Sequence, residues 1–300
     1  MNLIEAIILG ITQGLTEWIP ISSEGVTVLL GVNFLDGITL TELIRLSLFL
    51  HLGTFLAAAV YFKKDILELI KQLLKYPKAD ADTKATLNFY IIATAISGAL
   101  GLTILKVLEK LEGDFGFTGK AIIIALGILL LITGLVQLKR KIEGQRNVGQ
   151  SNLTDSILVG VAQGIAVLPG FSRSGMTVAT LLLRGFDDVQ SLRMSFILSL
   201  PVILIGNIFL GAVKFVFTVE LFVAVALSFL VGIAAIHFLI KFAQRIKFGY
   251  FVVFFGLLVI ISAFITTDVC SNMDGNQPTI PSGYEDASGK GFCMPTQNNA

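Results

Sequence analysis

The sequence predicts an all-α polytopic membrane protein: six transmembrane helices and two re-entrant helical hairpins, arranged as an inverted-topology internal repeat. Three observations carry that prediction. First, 54% of the 300 residues are hydrophobic and only 14% are charged, where soluble domains carry roughly 25% charge. Second, six apolar runs approach the ~20 residues that cross a bilayer as helix. Third, a broken motif near the N-terminus returns half a chain later. Gly10, Gln13, Gly14, Gly25 and Thr27 recur as Gly160, Gln163, Gly164, Gly175 and Thr177, each at a spacing of 150, while Pro20 and Pro169 fall one residue out of step. Paired, Gly/Pro-interrupted hydrophobic segments in two halves point to an intramembrane site.

In chain order, the first hairpin pairs Leu3–Leu15 with Val26–Phe34 across the break Glu17–Trp18–Ile19–Pro20–Ile21–Ser22–Ser23. Three spans follow at Leu43–Phe62, Leu87–Val107 and Gly119–Leu138. The second hairpin pairs Thr154–Val167 with Met176–Leu183, and Arg193–Val213, Leu221–Ile240 and Tyr250–Thr267 complete the set. The membrane domain is therefore 1–267, built of repeats 1–138 and 154–267. The tail, 268–300, is polar and Gly/Pro/Asn-rich, with too few aliphatic residues to bury a core. Its Cys270 and Cys293, which a disulfide or two free thiols would equally suit, are the only cysteines.

Basic residues in the loops set the orientation. Lys63, Lys64, Lys71, Lys75, Lys78 and Lys84 follow the first span; Lys139, Arg140, Lys141 and Arg146 follow the third; Lys241, Arg245 and Lys247 follow the fifth. These loops alternate onto one side, the cytoplasmic one, which leaves both termini extracytoplasmic in the plasma membrane. Three spans per half invert the second hairpin relative to the first, so their tips meet near the midplane. A net charge of +1, from 22 basic and 21 acidic residues, excludes a nucleic-acid partner.

Several side chains in the broken motifs carry chemistry. Glu17 sits among apolar neighbours, where a carboxylate is costly unless it faces a cavity or partner, and Gln13 lies one turn earlier on the same face. Ser22 and Ser23 open a new helix, as do Ser172, Arg173 and Ser174. Helix N-termini bind anions, and a guanidinium grips phosphate through two parallel hydrogen bonds. His51 lies in the first span and is a candidate acid or base. If the tips meet, four serines and one arginine surround an anion with a carboxylate beside it, a pocket suited to a phosphate or diphosphate ester.

These residues resemble a known family. Gln13-Gly14-Leu15-Thr16-Glu17 with Pro20-Ile21-Ser22-Ser23, and Pro169-Gly170-Phe171-Ser172-Arg173-Ser174-Gly175 with Thr177, are similar to the motifs of the undecaprenyl-pyrophosphate phosphatase (bacitracin-resistance, UppP/BacA) family, over nearly the whole chain through Thr267. The resemblance implies hydrolysis of a polyprenyl diphosphate to the monophosphate at the outer face, aided by a divalent metal, Mg²⁺ or Ca²⁺. It implies no organic cofactor, a lipid substrate in the membrane and a homodimer as one assembly. By the same resemblance Glu17, Ser23 and Arg173 are catalytic, Glu17 is a metal ligand, and Gln13, Ser22, Gly170, Ser172, Ser174 and Thr177 bind phosphate. One position departs: where the family carries a catalytic histidine this chain has Val26, after Glu24 and Gly25. Either His51 or Glu24 takes over its role, or hydrolysis is slow, or the chain transports a polyprenyl phosphate across the membrane without cleaving it.

Overall fold

A computed structural model describes residues 1–34, 40–110, 144–168, 171–209, 218–244 and 249–261, with scattered residues between 124 and 138. Most of these residues lie in the helices α1 (Leu3–Thr16), α2 (Ser23–Phe34), α3 (Leu40–Tyr61), α4 (Lys63–Leu74), α5 (Ala81–Lys110), α6 (Leu153–Ile165), α7 (Arg173–Leu183), α8 (Asp188–Phe209), α9 (Val219–Ala243) and α10 (Gly249–Ile261). The expected span Gly119–Leu138 falls mostly outside the described residues, and the tail with Cys270 and Cys293 entirely so.

Within the described residues α5, α8 and α9 are each long and apolar enough to cross a membrane. A fourth span is formed if α3 is counted with α4, which bends away from it by 76°. On α9, Phe222, Leu230 and Phe238 stand 72%, 58% and 62% exposed. Aqueous surfaces rarely carry so much contiguous apolar area, and lipid contact accounts for it. The chain is a multi-pass membrane protein.

Two short helix pairs, α1/α2 and α6/α7, are built alike. Asn2 caps α1 by accepting from the Glu5 N–H at 2.9 Å while the Glu5 carboxylate accepts from the Asn2 N–H at 2.6 Å. Asn152 and Asp155 repeat that capping box on α6, at 3.0 and 2.9 Å. Each box satisfies two helix N–H groups that otherwise lack partners.

The echoed glycines have a packing role. α1 lies along α9, where a Cβ on Gly14 would come 2.8 Å from the Ser228 carbonyl oxygen and one on Gly10 would run into the Ala224 carbonyl. α6 lies along α5, where a Cβ on Gly160 would come 2.9 Å from the Ala93 carbonyl oxygen and one on Gly164 2.9 Å from the Leu100 Cβ. Two glycines four residues apart let helix backbones approach closely in a membrane, where packing replaces the hydrophobic effect as the driving force. Ser228, fully buried, adds a hydrogen bond to the Leu50 carbonyl at 3.1 Å and ties α9 to α3.

Three clusters of buried residues fill the interior. The largest joins Trp18, Phe62, Phe196 and Ile236; a second joins Leu9, Phe49, Leu50 and Leu221; a third joins Phe89, Val159, Leu181 and Phe186. The first surrounds the place where the two helix pairs touch.

Candidate active site

Helix α1 stops at Thr16 because Pro20 and the turn before it cannot continue the ladder, and α2 restarts at Ser23. Ser22 caps the restart, its Oγ accepting from the Gly25 N–H at 3.1 Å. On the other pair Ser172 caps α7 by accepting from the Gly175 N–H, also at 3.1 Å. The tips meet: Ser174 Oγ donates to the Ile19 carbonyl at 2.8 Å, and Gly175 leaves room for the Pro20 ring.

At this junction one carboxylate gathers four partners. Glu17, 5% exposed, places Oε1 against the Arg173 guanidinium Nη2. Its Oε2 accepts from Ser23 Oγ at 2.7 Å and from Gln13 Nε2 at 3.0 Å, and lies 3.0 Å from His51 Nε2. Gln13 is fully buried and oriented by Thr27, whose hydroxyl donates to Gln13 Oε1 at 3.3 Å. His51 Nδ1 lies 2.7 Å from the Ser47 carbonyl oxygen. Both ring nitrogens therefore face acceptors, and only the doubly protonated ring donates to both. A buried carboxylate loses several kcal/mol of hydration, which this set of donors offsets.

The arginine is not fully used. Its Nη1 is buried without a hydrogen-bond partner among the described residues, as is the indole Nε1 of Trp18, whose ring lies 5.9 Å from the guanidinium carbon. Two unpartnered donors beside a helix N-terminus leave hydrogen-bonding capacity for an incoming anion.

The structure thus brings Glu17, Ser23, Gln13, His51 and Arg173 together, with Ser22, Ser172 and Ser174 holding the helix ends; Ser172 and Ser174 hydroxyls lie 3.1 Å apart. Thr177 lies one turn below, its hydroxyl donating to the Arg173 carbonyl at 2.9 Å and paired with Ser195 Oγ at 2.6 Å, so it supports the arginine's backbone. Glu24 is half-buried on the first turn of α2, with no hydrogen bond or ion pair among the described residues. Gly170 falls outside them. Trp18, Thr27 and Ser47 join the site without being indicated by the motif chemistry. For Thr27 the sequence does hold a signal, since Gln13 and Thr27 recur as Gln163 and Thr177.

Glu17 Oε2 has three partners and Oε1 has one, the Arg173 guanidinium. Among the described residues no three His, Cys, Asp or Glu side chains are grouped to hold a metal ion.

Known proteins resemble this chain along most of its length. It is 38% identical to an undecaprenyl-diphosphatase of Methanococcoides burtonii over 270 residues, 88% of this chain and 100% of the relative. An undecaprenyl-diphosphatase of Haloarcula marismortui is 37% identical over 87% of this chain and 97% of its own. Undecaprenyl-diphosphatase 2 of Halalkalibacterium halodurans is 36% identical over 87% and 95%. A family model described as bacitracin resistance protein BacA matches residues 6–261, a stretch that holds both broken motifs and every member of the Glu17 cluster, and the chain belongs to that family.

Proposed function

We propose that this chain is an integral membrane phosphatase that hydrolyses an undecaprenyl-type polyprenyl diphosphate to the monophosphate and inorganic phosphate, returning a lipid carrier for reuse. The observation that carries the reading is the Glu17–Arg173 ion pair, which joins the two helix breaks and gathers Ser23 and His51 onto the same carboxylate.

In this reading the terminal phosphoryl group sits at the N-terminus of α7, held by Arg173, including its unpartnered Nη1, and by the helix N–H groups. Moving Arg173 onto phosphoryl oxygens frees Glu17 Oε1 and makes the carboxylate a better proton acceptor. Glu17 takes the Ser23 hydroxyl proton, and Ser23 Oγ attacks the terminal phosphorus in line. The anhydride P–O bond breaks, and the polyprenyl monophosphate leaves with a proton from His51. Water then cleaves the Ser23 phosphoester, giving inorganic phosphate and restoring the hydroxyl. His51 here takes the part of the family histidine that Val26 lacks. No step is assigned to Mg²⁺ or Ca²⁺; the diphosphate oxygens are themselves the chelating group for such an ion.

Several features favour two inverted repeats with their hairpin tips at the bilayer midplane and the site opening to the outer face. The capping boxes stand 150 residues apart, and the glycine pairs stand at the same interval, one pair packed on α9 and the other on α5. Lysine and arginine gather in alternate loops.

Phosphate release from undecaprenyl and farnesyl diphosphates by the purified full chain tests the function. Release that disappears in Arg173→Ala and Glu17→Ala supports the reading; a wild-type protein that releases none, with and without Mg²⁺ or Ca²⁺, rejects it. Radiolabel from the terminal phosphate retained on wild type but not on Ser23→Ala would identify the attacking serine.

A further inference from the structure

Helix α4 is polar on one side and apolar on the other, yet it contributes no residue to the buried interior. At 100° per residue, Leu69, Leu73, Ile66, Ile70, Leu74 and Leu67 fall on one arc, interrupted only by Lys63 at the start of the helix, and Lys71, Lys64, Lys75, Glu68 and Gln72 face the other way. Only one edge of the apolar arc is covered: Ile66 and Leu69 pack against the main cluster. The other edge is open, with Leu67 55%, Ile70 51% and Leu74 81% exposed.

Geometry says what covers that edge. The α3 helix runs to Tyr61, α4 turns by 76° from it, and the span on α5 sets out again at Ala81. A helix that turns so far between a departing and a returning span lies nearly flat at the surface where both begin. Its first turn is fastened there by Arg193 on α8, which donates to Asp65 at 2.8 Å. The surface is basic: Lys63, Lys64, Lys71, Lys75 and Lys78 stand on or beside α4, against Asp65, already paired, and Glu68.

We propose that α4 lies in the headgroup layer of the cytoplasmic leaflet and docks there on anionic phospholipid. Leu67, Ile70 and Leu74 enter the acyl boundary, and the lysines rest their alkyl stems along the helix with ammonium groups on the headgroups. Each lysine near an anionic leaflet contributes to that attraction, so the helix prefers acidic over zwitterionic lipid. The inference is independent of the phosphatase reading, since α4 carries none of the site residues.

The full chain, with Cys270→Ser and Cys293→Ser removing its own thiols, is labelled with an environment-sensitive fluorophore at Leu67→Cys, Ile70→Cys, Leu74→Cys or Lys71→Cys. It is reconstituted in phosphatidylcholine with or without phosphatidylglycerol. The labels at 67, 70 and 74 should be quenched to similar extents by shallow doxyl lipid and shielded from iodide, and the label at 71 should show the reverse. Iodide quenching of 70 and 74 as strong as that of 71 overturns the proposal, as does doxyl depth that increases steadily from 67 to 74. Shielding from both quenchers, with cross-linking of 74 to 74 between copies, overturns it as well and assigns the edge to a second copy instead. Spin-labelled lipids supply the charge test: phosphatidylglycerol should associate several-fold more than phosphatidylcholine with the wild type. That ratio should fall toward about one when Lys63, Lys64, Lys71, Lys75 and Lys78 are all changed to Gln. An unselective wild type, or an unchanged ratio in the variant, removes the anionic-lipid claim.

Discussion

Glu17 and Arg173 are separated by 156 residues in the chain and form one ion pair, with the guanidinium Nη2 against carboxylate Oε1. The contact closes the two helix breaks onto each other and holds the arginine by one terminal nitrogen, while the other has no hydrogen-bond partner among the described residues. Planarity matters for that division of labour. In Arg173→Lys a single point charge replaces the fork, and kcat/KM for farnesyl diphosphate should fall about 10²-fold, against about 10³-fold for Arg173→Ala. A lysine variant with wild-type kcat/KM would show that bidentate gripping is not used.

His51 is positioned through both nitrogens, by the Ser47 carbonyl and by Glu17. Removing an acid that protonates the leaving group costs about 10²- to 10⁴-fold, so His51→Ala should lower kcat within that range while leaving KM within a few-fold. Adding Val26→His to His51→Ala should restore part of kcat. Unchanged kcat in the single variant would remove His51 from the reaction and return the question to Glu24.

The glycine contacts predict stability with opposite signs at different sites. Gly14→Ala and Gly160→Ala each push a methyl group to within 3 Å of a facing carbonyl oxygen, and such overpacking costs roughly 1–3 kcal/mol. Gly98 and Gly206 sit in helices with nothing among the described residues within 4 Å of where an alanine methyl would stand, so alanine there should stabilise by roughly 0.5–1 kcal/mol. Thermal melting of the four variants in one detergent should give two lowered and two raised midpoints. A uniform change in all four would contradict the assignment of close packing to the echoed glycines.

A second knot of charge holds the start of α6. Asp155 is fully buried and accepts from Arg146 Nη2 at 2.5 Å and Arg184 Nε at 2.6 Å, with Arg146 also lying 4.3 Å from the Phe186 ring centroid. Removing both arginines strands a buried carboxylate, at a cost of about 3–5 kcal/mol. The Arg146→Ala/Arg184→Ala variant should therefore melt well below either single variant, and changing Asp155 to Asn in that background should recover part of the loss. No recovery would mean that the arginines act through packing on Phe186, not through Asp155.

Much of this site is legible in residue order, because its members stand at helix breaks. Pro20 and the serine pairs mark the interruptions, and an intramembrane Glu17 or Arg173 demands a partner; an apolar sequence cannot conceal that demand. Partners across the fold are less legible. Spacing places Thr177 beside Arg173 on one helix, but only three-dimensional packing turns its hydroxyl to Ser195. The Asp155 knot links residues 9 and 29 positions away from the carboxylate through loops without periodicity. Helix α4 reads as a basic loop because its lysines dominate any span-length average, although its apolar arc is visible at helical period. The glycines stand out in the sequence as repeats, and their role as packing surfaces emerges only where α9 and α5 lie against them.

The most direct test of a single site shared by the two helix pairs is a double-mutant cycle on kcat/KM for phosphate release, using Glu17→Gln, Arg173→Ala and the pair together. Residues that act as one unit give strongly non-additive losses, so the double variant should be no worse than the poorer single variant. Losses that multiply would show that Glu17 and Arg173 act in separate places, and would contradict the account.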